Sequence, residues 1–259
     1  MTTQIVTPIS DISPIRQGDL HIWCLRLKVT TEEFALFESA LSDDERRRAE
    51  VFRHQVDRDE FIAARGALRT ILARYAGLAP EQLRFFYPCV CGTGRCRPAH
   101  RKPALTAACG GERIRFNLSH SAGLAAIAVC YGREVGLDVE RVDVEAAAEL
   151  LANDVPSARR VKLNIPVPAA LQAGEFFQYW TRREAMAKAL GLGLALELSP
   201  RPRHAKGRRR ALDGEVRPAL GAWWIRDFEP APGYAGAVAV RDPFSKVLAR
   251  FIESSTIRR

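Results

Sequence analysis

Apolar residues between positions 31 and 77 recur every three or four positions, which is the spacing of one face of an α-helix. Ser42 and Glu45 have the spacing of a capping box, in which each side chain accepts a backbone N–H of the other residue at a helix start. Gly77 is typical of a helix end, because glycine readily adopts the left-handed backbone conformation. We therefore predict a helical segment whose apolar face is formed by Phe34, Phe37, Leu41, Phe61, Leu68, Ile71, Leu72 and Tyr75.

The central part of the chain changes to short apolar runs that suit strands. The run LAAIAVC ends at Cys130 and the run EVGLDVE ends at Glu140, and the link at residues 131–133 contains a glycine. Such a short link suits a hairpin, so we predict that the two runs pair with each other. Residues 83–111 are rich in Cys, Gly, Pro and Arg without a period, which indicates irregular structure.

A second helical pattern followed by strands occupies the C-terminal half. It begins near Ala146 and ends in EFFQYWTRREAMAKALG, and the runs AWWIRDFEP and YAGAVAVRD then predict a second strand pair. The basic stretch RPRHAKGRRR at residues 201–210 is typical of a solvated loop. Because helices followed by short strands occur twice, we predict an α/β (α+β) fold of two parts.

The composition indicates a folded protein with acidic partners. With 259 residues and 47% hydrophobic content, the chain can bury one large core or two smaller ones. The formal charge of +9 favours nucleic acid, anionic lipid, phosphorylated cofactors and acidic proteins alike, so charge does not choose among them. The apolar run at residues 123–130 is far shorter than the roughly 20 residues that cross a bilayer, and no export signal is visible. We expect no membrane partner and a cytoplasmic location in which the six cysteines stay reduced.

The first candidate for chemistry is a pair of acids in the run GLDVE. Asp138 and Glu140 are two residues apart, so on a strand their carboxylates share one face. Val135, Leu137 and Val139 would point to the other, apolar face. Two like charges at such positions repel, and a cation between them would remove the repulsion. The pattern therefore fits a site for a hard cation, and it also fits an exposed strand face with two solvated acids.

The second candidate is a stripe along one helix face. Phe176, Trp180, Glu184 and Lys188 are each four residues apart, so the stripe begins aromatic and ends charged. A Glu–Lys pair at this spacing is also an ordinary surface ion pair, worth about 0.2–0.5 kcal/mol. Because Trp180 favours burial, we place Glu184 at the margin of a core.

The third candidate is FNLSHS at residues 116–121, directly before a predicted strand. A loop of this composition can present the Ser119 hydroxyl, the His120 imidazole and backbone N–H groups to phosphate oxygens. It can equally form a hydrogen-bonded turn. The Ser–His neighbours are no evidence for a hydrolase, since a catalytic triad needs separated residues that the fold brings together.

Cys89, Cys91, Cys96 and His100 supply thiolates and an imidazole, which are ligands that suit zinc. Their spacing matches none of the common zinc fingers. We therefore favour reduced thiols over a metal site here, and keep zinc as the alternative.

Together these motifs resemble the Sfp-type 4′-phosphopantetheinyl transferase family. The family order is Gly-Lys-Pro, Asn-x-Ser-His-Ser, Gly-x-Asp-x-Glu and Trp-Ser/Thr-x-Lys-Glu-Ala-x-x-Lys with a Gly-x-Gly tail. The similar stretches here are residues 101–103, 117–121, 136–140, 180–188 and 191–193. The resemblance runs from LSDDERRRAEVFR to PGYAGAVAV, and every acidic position is intact.

The chain departs from the family pattern in three places. Arg101 stands where the family has glycine, and Arg183 stands where it has lysine. The second change keeps the charge, whereas the first alters a loop that would approach coenzyme A. Residues 150–174 lack the usual Phe-Phe and acidic helical segment, so the choice of carrier can differ from that of relatives.

The resemblance implies a monomer of two similar α/β halves related by pseudo-twofold symmetry. Residues 1–134 would contact the nucleotide of coenzyme A, and residues 135–259 would carry the metal and the catalytic acids. The implied reaction transfers the 4′-phosphopantetheine group of coenzyme A to a serine of an acidic apo acyl or peptidyl carrier protein. It would need Mg²⁺, for which Mn²⁺ can substitute, and would release adenosine 3′,5′-bisphosphate.

The resemblance also implies roles for single residues. Asp138, Glu140 and Glu184 would hold the metal, and the catalytic residues would be Glu184, as the base, and Lys188, which would face the phosphates. The other contacts to coenzyme A would come from Arg48, Arg69, Lys102, Ser119 and His120. For Arg48 and Arg69, a solvated charge on a helix is the alternative.

Two other classes of protein compete with this interpretation. A nucleic-acid binder would explain the charge and the stretch RPRHAKGRRR, but no reader motif or interleaved aromatic platform is visible, and we expect no specific nucleic acid as partner. A catalytically silent relative that only binds carrier proteins would be supported by the loss of an acid, and none is lost.

Overall fold

The computed structural model describes residues 12–88, 102–145, 173–191, 214–216, 223–241 and 246–252. The described residues form two compact units. Unit 1 lies within Met1–Phe86, Ala104–Gly132 and Ser245–Arg259, and unit 2 lies within Tyr87–Pro103 and Arg133–Phe244. Helices and sheets occur in both, so the predicted mixed α/β class is confirmed. The pseudo-twofold symmetry and the functional halves 1–134 and 135–259 stay predictions.

Three helices of unit 1 occupy the segment that was predicted to be helical. They are α1 (Thr31–Ala40), α2 (Asp43–Glu50) and α3 (Gln55–Ala76). The capping box of Ser42 and Glu45 is present at the start of α2, with both hydrogen bonds formed. Gly77 ends α3 in the left-handed conformation, with φ of 66°.

The helices of unit 1 pack on a four-stranded sheet. Its strands, in spatial order, are β10 (Lys246–Ile252), β1 (Asp19–Arg26), β5 (Leu124–Tyr131) and β4 (Ile114–Ser121). β1 and β10 are parallel, and the other neighbours are antiparallel. Trp23, Leu68, Ile71, Phe116 and Ile127 are among the buried side chains of the core between them. Unit 1 also contains a short strand pair, β2 (Phe85–Phe86) and β3 (Ala104–Leu105).

The structure corrects the prediction of a loop at FNLSHS. Residues 116–121 belong to β4, which pairs with β5 from Ile114 to Ser121. The tight turn lies instead at Ala122 and Gly123, whose φ angles are 44° and 81°. Two successive positive φ angles match the twist of a two-residue hairpin. The sequence does carry the signal of this strand, because the apolar residues Ile114, Phe116 and Leu118 alternate with polar ones.

The predicted hairpin between LAAIAVC and EVGLDVE is also wrong. The first run is β5 of unit 1, whereas the second is β6 (Val135–Arg141) in the sheet of unit 2. The link at residues 131–133 contains the point where the chain leaves one unit for the other. A glycine in a short link indicates a change of direction, but it does not say which strand the next run will join.

Unit 2 is a four-stranded antiparallel sheet covered by one described helix, α4 (Ala173–Leu190). Its strands, in spatial order, are β6, β9 (Tyr234–Arg241), β8 (Trp223–Phe228) and β7 (Gly214–Val216). The predicted pairing of the last two runs is confirmed as β8 with β9. Met186 and Ala185 of α4 pack with Trp223, Ile225 and Ala239 of the sheet, and all five side chains are buried.

Strand β6 lies unusually close to the backbone of α4 at Gly136. A methyl group at this position would be 1.9 Å from the carbonyl oxygen of Ala185 and 2.3 Å from the amide nitrogen of Ala189. Because side chains on a strand alternate between faces, Asp138 leaves β6 on the same side as this contact. The glycine therefore brings the acid next to the helix.

Replacing Gly136 with alanine is expected to destabilise the protein, because the backbone of α4 must move to admit the new methyl group. Overpacking of this kind costs about 1–3 kcal/mol, occasionally more. Urea unfolding measures the change. The matched control is Gly174→Ala on α4, where an added methyl group meets nothing within 4 Å. We expect that control to be neutral or to gain about 0.5–1 kcal/mol, and equal stability of the two variants would contradict the close packing.

None of the described helices is both long enough and apolar enough to cross a bilayer. Several predictions from the sequence lie outside the described residues. They are the thiol and imidazole group at residues 89–100, Arg101, the segment 150–172 and the basic stretch 201–210.

Candidate active site

An ion pair between β6 and α4 joins two of the predicted site residues. The ammonium nitrogen of Lys188 lies 2.6 Å from Oδ1 of Asp138. The side chain of Asp138 is 3% exposed, whereas that of Lys188 is 29% exposed. Asp138 faces α4 because it is two residues beyond Gly136 on the strand, and Lys188 lies in the last turn of the helix. Residues that are 50 positions apart in the sequence thus meet directly.

Glu184 lies one helical turn before Lys188 and is partly buried. Burial raises the pKa of its carboxyl group, and the nearby carboxylate of Asp138 raises it further. The positive charges of Lys188 and Arg183 act in the opposite direction but do not cancel the shift. The two acids are therefore close enough to repel each other across the contact between β6 and α4.

The aromatic residues of the stripe, Phe176 and Trp180, lie on the same face of α4 as Glu184 and Lys188. Phe176 stacks on Trp180 with ring centroids 6.0 Å apart and planes inclined by 28°. The guanidinium carbon of Arg183 lies 5.7 Å from the centroid of the Trp180 ring, and Arg183 is only 6% exposed. Trp180, Glu184 and Lys188 are all partly buried, so the stripe lies at the edge of a core, as predicted.

The carboxylates of Asp138 and Glu184 suit a hard divalent cation. Both are oxygen ligands, and a cation between them would relieve the repulsion that adds to burial in raising the pKa of Glu184. Mg²⁺ is commonly held by one or two carboxylates together with phosphate oxygens. Glu140 alternates onto the same face of β6 and is partly buried. Within the described ranges, no three His, Cys, Asp or Glu side chains converge as a ready-made metal site, so Glu140 as third ligand stays a prediction.

A second ion pair of α4 was missed by the sequence analysis. Nε of Arg182 donates to Oδ1 of Asp227 at 2.6 Å, and Nη2 donates to Oδ2 of the same carboxylate. The pair attaches the middle of α4 to β8, which is separated from β6 by β9 in the sheet. No local pattern could have revealed it, because the two residues are 45 positions apart.

Lys102 lies against the start of β6. Its ammonium group donates to Oε2 of Glu134 and to the carbonyl oxygen of Val135, both at 2.8 Å. These bonds attach the end of the segment Tyr87–Pro103 to β6, the strand that carries Asp138. A contact of Lys102 with coenzyme A stays a prediction.

Arg48 and Arg69 of unit 1 differ sharply in their surroundings. Arg48 is exposed, and its guanidinium carbon lies 5.3 Å from the ring centroid of Phe61. Arg69 is 2% exposed, and its Nε lies 2.5 Å from Oε2 of Glu45. Its Nη1 also donates to two backbone carbonyl oxygens. The solvated-charge alternative therefore describes the exposure of Arg48 but not that of Arg69. Their contacts with coenzyme A stay predictions.

Ser119 and His120 are neighbours on β4, so their side chains leave the sheet on opposite faces. Ser119 is 5% exposed, whereas His120 is exposed. One phosphate group would therefore meet the two side chains from different sides of the strand. Their roles in binding coenzyme A stay predictions.

Comparison with known proteins gives one family. Residues 134–224 match the sequence profile of the 4′-phosphopantetheinyl transferase superfamily, a range that includes Asp138, Glu184 and Lys188. The chain is 34% identical over 173 residues to 4′-phosphopantetheinyl transferase HetI of Nostoc sp., which covers 67% of this chain and 69% of HetI. It is 26% identical over 168 residues to a phosphopantetheinyl transferase of Thraustochytrium sp., with 61% of this chain and 54% of that protein covered.

Proposed function

Because the chain belongs to the 4′-phosphopantetheinyl transferase superfamily, a family of transferases, we propose that it transfers the 4′-phosphopantetheine group of coenzyme A to a serine of an apo acyl or peptidyl carrier protein. The observation that carries the proposal is the meeting of Asp138, Glu184 and Lys188 between β6 and α4. All three residues lie inside the segment that matches the family.

The transfer is a displacement at phosphorus. The serine oxygen of the carrier forms a bond to the phosphorus atom that carries the pantetheine arm, and the bond from that phosphorus to the bridging oxygen of the pyrophosphate breaks. The electron pair leaves with adenosine 3′,5′-bisphosphate. A serine hydroxyl is a weak nucleophile at neutral pH, so a base must take its proton as the new bond forms.

Glu184 is the proposed base, because its carboxylate lies beside Asp138 at the end of the aromatic stripe. Lys188 is the proposed contact to the phosphates, since a lysine ammonium binds phosphate as a compact point charge. Both residues are on one face of α4, a single turn apart, so their side chains can reach the same substrate.

Asp138 and Glu184 would hold Mg²⁺, with Glu140 as third ligand. When bound, the ion neutralises charge on the pyrophosphate, which otherwise repels the incoming oxygen. Mn²⁺ accepts the same oxygen ligands. Orientation of the two acids comes from the chain itself, since Gly136 sets the distance of β6 from α4 and Arg182 attaches the helix to β8.

Binding and transfer together test the proposal. We expect coenzyme A to raise the melting temperature, since a ligand at 100 times its Kd adds about 2.7 kcal/mol to stability, and to do so most strongly with Mg²⁺ present. Incubation with coenzyme A, Mg²⁺ and a panel of apo carrier proteins should add one phosphopantetheine group per carrier, read by mass spectrometry.

Duplex DNA of random sequence is the control for the positive charge of the chain. It should bind weakly and lose affinity steeply as salt rises, as expected for unspecific attraction. Absence of stabilisation by coenzyme A, together with tight DNA binding that survives moderate salt, would favour the nucleic-acid binder. Stabilisation by coenzyme A without modification of any carrier would favour the catalytically silent relative.

A further inference from the structure

We propose that the site takes up its divalent cation together with the pyrophosphate of coenzyme A and not as a free ion, because Lys188 already neutralises Asp138. This inference rests on the proposed function, in which Asp138 is a metal ligand and Lys188 contacts phosphate. It adds that the same lysine makes metal binding depend on the substrate.

The first step is the contact that a free metal ion would have to break. The ammonium group of Lys188 is 2.6 Å from Oδ1 of Asp138, whose side chain is 3% exposed. A buried carboxylate has little water to compensate its charge, so the lysine stabilises it strongly. A divalent ion that binds this oxygen must displace the ammonium group or leave two positive charges side by side, and both cost free energy.

The second step concerns which partner of the ion pair moves. Asp138 is on β6, whose position is set by the contact of Gly136 with the backbone of α4. Lys188 carries its charge on a flexible four-carbon chain that is 29% exposed. The lysine is therefore the mobile partner, and the aspartate is the rigid one.

The third step is what coenzyme A changes. Its pyrophosphate offers the ammonium group a new negative partner and offers the metal ion further oxygen ligands. When Lys188 turns from Asp138 to the phosphate, the carboxylate becomes available to the cation without an uncompensated charge. Coenzyme A should then tighten metal binding, and by linkage the metal should tighten coenzyme A by the same factor.

Titration with Mn²⁺ measures this coupling independently of transfer, because the free ion is counted by its paramagnetic resonance signal. In wild-type protein we expect coenzyme A to tighten Mn²⁺ binding by about 5–150-fold, the usual range for coupled sites. In Lys188→Met, Mn²⁺ alone should bind several-fold more tightly than to wild type. The enhancement by coenzyme A should shrink in that variant, because no ammonium group remains to be moved.

Arg141→Met is the matched control for general charge effects. Arg141 is exposed at the end of β6, three residues beyond Asp138, so its loss removes one positive charge from the same strand. We expect little change in Mn²⁺ affinity, and an effect as large as that of Lys188→Met would overturn the inference. Circular dichroism and melting temperature show whether each variant is folded.

The outcomes also separate this inference from the proposed function. If wild type binds Mn²⁺ with coenzyme A but Lys188→Met binds the free ion no more tightly than wild type, the lysine does not compete and only the inference fails. If wild type does not bind Mn²⁺ even with coenzyme A, the proposed metal site itself is wrong. Asp138→Asn should abolish Mn²⁺ binding in both conditions, and retained binding there would count against the proposed site.

Discussion

Glu184→Gln is expected to lower the rate of phosphopantetheine transfer by about a hundredfold or more, since it removes both a proposed metal ligand and the proposed base. Glutamine keeps the size of the side chain and the helix, so the fold should survive. Coenzyme A should still raise the melting temperature of the variant, but Mg²⁺ should add less to that rise. Single-turnover transfer to an apo carrier, followed by mass spectrometry, measures the rate.

Glu175→Gln provides the control on the same helix. Glu175 lies in the first turn of α4 and is exposed, more than two turns from Glu184. Its replacement removes one negative charge from α4 without reaching the proposed site, so transfer should stay close to the wild-type rate. Transfer by Glu184→Gln at the wild-type rate would remove Glu184 from the mechanism.

Glu45→Ala is expected to lower the free energy of unfolding by about 3–5 kcal/mol, the usual cost of removing one partner from a buried ion pair. Glu45 is 7% exposed and pairs with Arg65 and Arg69 at 2.5 Å each. Both guanidinium groups also lie over the ring of Phe85, at 5.2 and 5.0 Å. Removal of the carboxylate leaves two buried positive charges, and urea unfolding measures the loss.

Two further variants assign this loss to the ion pair. Glu45→Gln keeps the capping box, since glutamine serves at that position, so its cost reports the missing charge. Asp44→Ala removes the neighbouring acid, which pairs with Arg47 on an exposed surface and should cost less than about 1 kcal/mol. If Asp44→Ala and Glu45→Ala lowered the free energy of unfolding equally, the buried ion pairs of Glu45 would not be the source of the stabilisation.

The stability that the Glu45 carboxylate contributes depends on pH with a definite sign. Burial alone would raise the pKa of Glu45, but the charges of Arg65 and Arg69 and the hydrogen bond from the backbone of Ser42 outweigh it and hold the pKa below its ordinary value of 4.5. The stabilisation is therefore present above pH 4.5 and is lost as pH falls through the lowered pKa. The stability difference between wild type and Glu45→Gln should narrow in that acid range.

Local signals explain which elements could be predicted from the sequence. The capping box of α2 and the end of α3 at Gly77 depend on residues within one turn of each other, so they are visible without the fold. β4 was missed although its partner β5 follows it after only two residues. The predicted hairpin of β5 with β6 was wrong, because the sheet that a strand joins depends on distant partners. Arg69 shows the same limit, since its ion pair with Glu45 spans 24 positions.

The sequence by itself determined which side chains share a face in the proposed site. Asp138 follows Gly136 by two residues on a strand, and Lys188 follows Glu184 by four on a helix, so both relations result from local backbone geometry. Only the tertiary structure decided that these two faces meet. That contact joins residues 50 positions apart and requires the missing side chain of Gly136 to let β6 approach the backbone of α4. The pairing of Lys188 with Asp138 results from that approach of β6 to α4. It could not be predicted from the sequence, because no rule of spacing connects a strand residue with a helix residue so distant in the chain.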